Sequence, residues 1–387
     1  MRISLISAWL LLSCFGVCQA QESSRNVQIL GQLSMEEGLL ATVLDQDPDR
    51  PLAYALDTLF ALHVVDLSDP ATPVVASRVA VSGGHDLTTF VAEGRVFVIV
   101  AGDSLTVIEV TQASQAVILS RHLSPEPFSR VFAYKHSAGP ALLFGAGSSQ
   151  AIALDLSALV TGAVSVKASL PTPPHQGIRE GFGDLFAGFH PETQEDRLFS
   201  AAEGGYYVYN ITNLEQPVLK TSVISAAVQQ GHAIAPTPDG AFALTLASYR
   251  TAPLRIFDLA GERVRTAVGA WMEDWQTELE DVLVRWPFAF VAGLEAGLYV
   301  VNIFDPAEPY TDAWFRPGSP SETAPLLRPR HGIVTVNVRN HDGLIVASDR
   351  THGLWILRLE AFGGWHGQNW GLPNVSDVQD WVNGPDQ

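Results

Sequence analysis

A five-residue apolar strand with a polar group at its fourth position recurs seven times along this chain, and a recurrence at this period leaves few folds open. The copies are "HVVDL" ending at Leu67, "TVIEV" at Val110, "IALDL" at Leu156, "YVYNI" at Ile211, "RIFDL" at Leu259, "YVVNI" at Ile303 and "WILRL" at Leu359. Their ends are separated by 43, 46, 55, 48, 44 and 56 residues, a range that suits propeller blades. β-Branched and aromatic residues favour strands, and runs that are apolar at nearly every position are expected where both faces of a strand are covered. The polar position, occupied by Asp66, Glu109, Asp155, Asn210, Asp258, Asn302 and Arg358, suits a side chain that bonds loop backbone where the strand ends.

Ahead of each copy lies another β-rich run, such as "RVFVIVAG" from Arg95 or "FAFVAGLEAG" from Phe288. Behind most of them come a turn and a further strand, as in "PVVASRVAV" and "PVLKTSVI", with Pro fixing the backbone of the turn. The third copy, "IALDLSALVTGAVSVKASL", lacks the Asp-Pro turn of "HVVDLSDPATP". The seventh lacks its fourth strand, and "NVQILGQLS" from Asn26 has the pattern of a fourth strand with no blade in front of it. The expectation is an all-β fold: a seven-bladed β-propeller of four-stranded blades. The ring is closed by an N-terminal strand at about 26–34 that completes the last blade and leaves no unpaired edge there. Residues 21–362 form that single domain, and 363–387 form an aromatic tail. Trp365, Trp370 and Trp381 in the tail are expected to seal one face of the ring and cover the seam, with stacking on a sugar or a partner protein as the alternative.

The N-terminus reads as an export signal: Met1 and Arg2, the apolar "ISLISAWLLLSCFGVC", and Ala20 as the small residue before polar "QESS". Residues 1–20 are read as a signal peptide, with a retained anchor helix or lipid attachment through Cys14 in "LLSC" as alternatives. Both cysteines, Cys14 and Cys18, lie in this segment, so the processed chain would have no disulfide, thiolate metal site or thiol nucleophile. The formal net charge of −18, with 23 Lys and Arg, disfavours nucleic acid and anionic lipid as partners. The expected location is periplasmic, cell-surface or extracellular, with no transmembrane span in the mature chain, as a closed, monomeric ring.

At "VVDLSDPATPVVASRV" and "YVVNIFDPAEPYTDAW" the sequence resembles the LVIVD-repeat family of exported bacterial β-propeller proteins. The resemblance extends through "GGYYVYNITNLEQPVLKTSV" and "VRNHDGLIVASDRTHGLWILRLEAFGGWHGQNWGLPNVSDVQDW" and covers nearly all of the chain after the signal. It implies the propeller fold and an exported protein. Some proteins similar to it carry a His-rich segment ahead of the counterpart of "VRWP"; here "QTELEDVLVRWP" from Gln276 has no histidine.

In a propeller the innermost strand of each blade lines the central channel, and its first residues open on one face. The blade starts place Glu36 and Glu37, His85 and Asp86, Ser129 and Arg130, Asp184, His232, Glu280 and Asp281, and Arg330 and His331 at that mouth. From these, His85, Asp86, Arg130, Asp184, His232, Asp281 and His331 are the candidate ligand-binding residues. Imidazole and carboxylate together suit a divalent metal ion, with His85, His232 and His331 as its candidate ligands. A wet channel mouth also needs polar lining without any site. "GFGDLFAG" has no strand-to-helix context for a nucleotide, and no Gly-x-Ser-x-Gly elbow occurs.

Two functions follow as expectations. The first is a non-catalytic binding or protein-interaction module at the cell envelope, with an envelope protein or a small molecule as partner. The second is a metal-dependent exported enzyme, an oxidase or a hydrolase of lactonase type, with its site at the channel mouth. The absence of a catalytic motif favours the first, and fold alone does not choose between them.

Overall fold

Each recurring apolar run forms the third strand of an antiparallel sheet, and the seven sheets are the blades of a β-propeller. The computed structural model describes residues 23–173, 181–190, 192–224, 230–249, 251–273, 277–318, 331–367 and 379–382. The export signal expected at 1–20, with Cys14 and Cys18, lies outside the described residues, as do Arg330 and Trp370.

The third strands are Ala61–Asp66, Ser104–Glu109, Gln150–Asp155, Gly205–Asn210, Leu254–Asp258, Leu298–Asn302 and Gly353–Leu359. The innermost strands are Leu39–Leu44, Asp86–Ala92, Phe128–Lys135, Phe182–His190, Gly231–Pro236, Asp281–Arg285 and Ile333–Val338, in blades 1 to 7. Seven clusters of buried apolar side chains fill the seven interfaces between neighbouring blades. Val64 and Val65, on opposite faces of one strand, belong to two different clusters, which is why the runs do not alternate.

At Asp66, Asp155, Asn210, Asp258 and Asn302 the polar position of the repeat accepts a loop N–H two residues on, as expected at the strand end, whereas Glu109 pairs with the Arg95 side chain. Asp66 Oδ1 accepts from Ser68 N at 2.8 Å, and Asn302 Oδ1 accepts from Phe304 N at 3.0 Å. Asp69 and Asp305 then hold the Asp-Pro turn, accepting from Ala71 N at 3.1 Å and Ala307 N at 2.9 Å. Each turn seats its proline carbonyl on a glycine of the preceding blade's outermost strand. A Cβ on Gly31 would lie 2.2 Å from Pro70 O, and one on Gly269 would lie 2.0 Å from Pro306 O. The Asp-Pro turn is thus a blade-to-blade joint. In blade 3, where the turn is missing, a short helix, Leu156–Val160, replaces it, capped by Asp155 through Ser157 N and Ala158 N.

The ring is closed by Val27–Leu33, which pairs antiparallel with Gly353–Leu359 from Val27↔Leu359 to Leu33↔Leu354. Two further pairings go beyond the sequence reading. Ser23–Arg25 adds a fifth strand to blade 6 beside Tyr310–Arg316, and Arg263–Val264 runs parallel to Val218–Val223 at the edge of blade 4. Between the two N-terminal strands Asn26 adopts φ 56°, and its side-chain amide donates to Asp312 O at 2.9 Å. One short segment therefore fastens two blades.

Of the tail, Trp365 is buried and donates its backbone N–H to Asn340 O at 2.8 Å. Trp381 packs edge-on against Phe90 with ring centroids 6.1 Å apart, and Gln379 Oε1 accepts from Lys135 N at 3.3 Å. Phe90 and Lys135 lie toward the ends of their inner strands, so these tail residues sit at the mouth opposite the blade starts.

Candidate functional site

The inner strands enclose a tunnel cavity of about 420 Å³, lined by residues of blades 1, 2, 3, 4, 6 and 7 and by Gln379 and Trp381. Asp86, Arg130, Asp184 and Asp281, four of the residues expected at a wet mouth, face this tunnel. The three aspartates repeat one arrangement in alternate blades. Asp86 Oδ2 accepts from Val131 N at 2.8 Å, Asp184 Oδ2 from Ile234 N at 3.0 Å, and Asp281 Oδ2 from Val336 N at 3.1 Å. Each carboxylate thereby ties its own blade to the inner strand of the next, and each also accepts the N–H of the residue that follows it. The aspartates are ring joints as much as channel lining.

Arg130 carries the countercharge, 3.5 Å from Asp86 Oδ1. Burial alone would lower its pKa, yet the carboxylates of Asp86, Asp281, Asp184 and Glu280 together hold it above its ordinary value. Burial pushes the carboxyls of Asp86 and Asp281 up, against the pull of Arg130, and pushes Asp184 up to about 6. Below about pH 4, where an aspartate of the unfolded chain titrates, both states of Asp184 are protonated. As the pH rises from there through about 6, the unfolded chain releases this proton first, and the stability Asp184 contributes is progressively lost. Thermal melts should show wild type gaining about 1 kcal/mol on Asp184→Asn between pH 7 and pH 5. His190, whose burial acts in the opposite sense, is present in both proteins and cancels. A wild-type-to-variant difference that is flat with pH would refute the assignment.

A second cavity, of about 500 Å³, opens on the face where the inner strands begin. It gathers His85, Ser129, Gln230 and His232 from the blade starts, and Ser148, Glu203 and Ser248 from the turns between second and third strands. His232 Nε2 lies 3.1 Å from Glu280 Oε2, and its Nδ1 lies 3.4 Å from Ser248 Oγ. The imidazole of His85 makes no hydrogen bond among the described residues, which leaves it open to a ligand. Gly231 is required beside His232, because a Cβ there would lie 2.6 Å from Ala202 O.

The structure divides the expected site residues into two groups and leaves one apart. Asp86, Arg130, Asp184 and Asp281 belong to the tunnel, and His85 and His232 to the mouth cavity. His331 pairs with Glu295 at 3.1 Å on the hairpin of blade 6 and lines neither cavity. Among the described residues no three His, Asp or Glu side chains converge in a geometry that would hold a metal ion. Sequence reasoning missed Ser248, Glu203 and Gln230. For Glu203 and Ser248 the signal was the polar residue just after the second strand, as in "AEG" and "ASY".

A family model described as the LVIVD repeat matches residues 53–81 and 279–311. The first match covers the second, third and fourth strands of blade 1, and the second runs from the start of blade 6 to its outermost strand. No curated protein matches the chain.

Proposed function

We propose that this chain, an LVIVD-repeat β-propeller, is an exported ligand-binding module whose ligand sits in the cavity at the blade-start mouth of the ring. The observation that carries this reading is the convergence of polar side chains from four blades on one pocket of about 500 Å³, with the uncommitted imidazole of His85 among them. A pocket of this size suits a small molecule, with a few placed polar groups to orient it and apolar walls from Phe128 and Phe182. Acidic charge on the whole chain and within the tunnel favours a neutral or cationic ligand over a polyanion.

Export is supported by the basic, apolar and small-residue pattern of the first 20 residues and by the habit of LVIVD-repeat proteins, which are commonly exported. No helix among the described residues is long and apolar enough to cross a membrane.

A thermal-shift screen of small molecules against the purified chain tests the reading. A ligand at about 100 times its dissociation constant should add about 2.7 kcal/mol of stability. That gain should fall by more than half in His85→Ala and in Ser129→Ala. A ligand whose stabilisation survives both changes binds elsewhere and refutes the assignment of the pocket.

A further inference from the structure

We propose that Ser248, His232 and Glu280 form a hydroxyl-activating relay, and that the mouth cavity cleaves carboxylic esters by acyl transfer through Ser248. This rests on the mouth cavity being the ligand site and adds a bond-breaking step to it.

The polarity of the relay follows from what each group can donate. Glu280 is buried at 5 % exposure, and as a carboxylate it can only accept, so the proton on the imidazole sits at Nε2. His232 Nδ1 then presents its lone pair to Ser248 Oγ, 3.4 Å away. A carboxylate that fixes the tautomer of an imidazole, whose other nitrogen faces a hydroxyl, is the arrangement a general base needs to activate a nucleophile. Distances in a resting site are commonly longer than in the reacting complex.

The backbone holds the three groups in place. A register shift between Gly231 and Ala233 leaves His232 outside the ladder at the start of its strand. Ser248 directly follows the second strand of the same blade, and its N–H donates to Gln230 O at 2.8 Å. Gln230 is held at φ 62°, a left-handed conformation that is strained in a residue other than glycine and that gathers at functional sites. Glu280 comes from blade 6, its N–H donating to Ala292 O at 2.8 Å. Two blades thus meet at the relay. His85 supplies a hydrogen-bond donor in the same cavity for a carbonyl oxygen that becomes negative, and Phe128 and Phe182 offer an apolar wall to an acyl group.

The chemistry balances without a cofactor. Ser248 Oγ bonds to the ester carbonyl carbon as its proton passes to His232 Nδ1. The carbon–oxygen bond to the alcohol breaks, and the departing oxygen takes that proton. Water then attacks the acyl-serine, giving its own proton to Nδ1. The acid leaves, and Ser248 recovers the proton. One ester and one water become one acid and one alcohol.

The test uses the full chain after export, with a fluorophosphonate probe and p-nitrophenyl butyrate. Expected are stoichiometric labelling at Ser248, located by peptide mass, and turnover of the ester. Ser248→Ala should abolish labelling and lower kcat about a thousandfold or more. His232→Ala should lower kcat by about a hundredfold or more. Glu280→Gln tests a positioning residue: kcat should fall with KM unchanged. His331→Gln, outside the cavity, should behave as wild type. No label at Ser248, or an ester turnover that Ser248→Ala leaves intact, overturns the proposal. Ligand stabilisation that depends on His85 but comes without labelling or turnover would sink the relay and leave the binding site standing. Loss of both would sink the site itself.

Discussion

A chain lacking residues 23–33 is expected to lose its single cooperative unfolding transition, because the ring cannot close without them. Val27–Leu33 supplies the outermost strand of blade 7, and Ser23–Arg25 the fifth strand of blade 6. Val27 is buried in the cluster between those blades, with Ile29 packed against it, and Leu30 and Leu33 pack between blades 7 and 1. A ladder of this length at about 1 kcal/mol per hydrogen bond, with about 1.5 to 3 kcal/mol per buried aliphatic side chain, amounts to much of a domain's net stability of about 5–15 kcal/mol. Calorimetry should show a broad, low transition in place of a sharp one, and light scattering should show association through the exposed edge of Gly353–Leu359. A peptide of residues 23–33 added in trans should restore the sharp transition. Gly31→Val is the finer form of the same experiment. Its Cβ would stand 2.2 Å from Pro70 O, which is backbone and cannot rotate away, so the Asp-Pro turn of blade 1 must lift from the closing strand. Overpacking of this kind costs about 1–3 kcal/mol, read as a lower Tm with the fold retained. A full-length Tm in Gly31→Val, or a sharp transition in the truncated chain, would show that closure does not depend on this strand.

The repeat made the ring legible because its signals are local. Asp66 and Asn302 cap strands two residues away, and Asp69 and Asp305 hold turns within three residues, so their spacing in the sequence reports the structure directly. The closing strand was also legible, since it is a fourth strand lacking a blade. What escaped were contacts between distant residues that have no period. The pairing of Ser23–Arg25 with blade 6 joins segments nearly 300 residues apart, through a three-residue strand too short to show any pattern. The blade starts were found, but their division was not. Asp86, Asp184 and Asp281 look like mouth residues until each is seen to reach the backbone of the next blade, and His232 looks like one of three similar histidines until Glu280 and Ser248 are seen on either side of it. Ser248 was overlooked because, taken singly, one serine after a strand resembles any turn residue. Only the folding of the second strand back onto the first brings it to His232, and only the approach of blade 6 adds Glu280.

Replacing Arg130 with methionine should destabilise the ring by about 3 kcal/mol at pH 7, the lower end of what loss of one partner costs a buried charge cluster. The lower end is appropriate because the guanidinium faces a cavity that admits water and keeps 22 % of its side-chain surface accessible. Methionine preserves much of the stem's apolar contact, so the loss reports charge more than packing. In wild type, Arg130 opposes the burial that pushes Asp86, Asp184 and Asp281 up. Without it, all three should titrate still higher, and each should hold a proton over a wider span of pH than it does now. The sign is then fixed. For a carboxyl raised in the folded state, stability is fully present below the unfolded value and is lost as the pH rises through the folded one. The deficit of Arg130→Met should therefore shrink on acidification from pH 7 toward pH 5, as the aspartates are protonated and no longer need a cation. Arg130→Lys, which keeps the charge but not the guanidinium geometry, should fall between the two at pH 7. Equal melting curves for wild type and Arg130→Met at pH 7, or a deficit that stays constant as the pH falls, would mean that the three aspartates are held by their backbone hydrogen bonds alone. The tunnel's charge would then be free for a ligand to use.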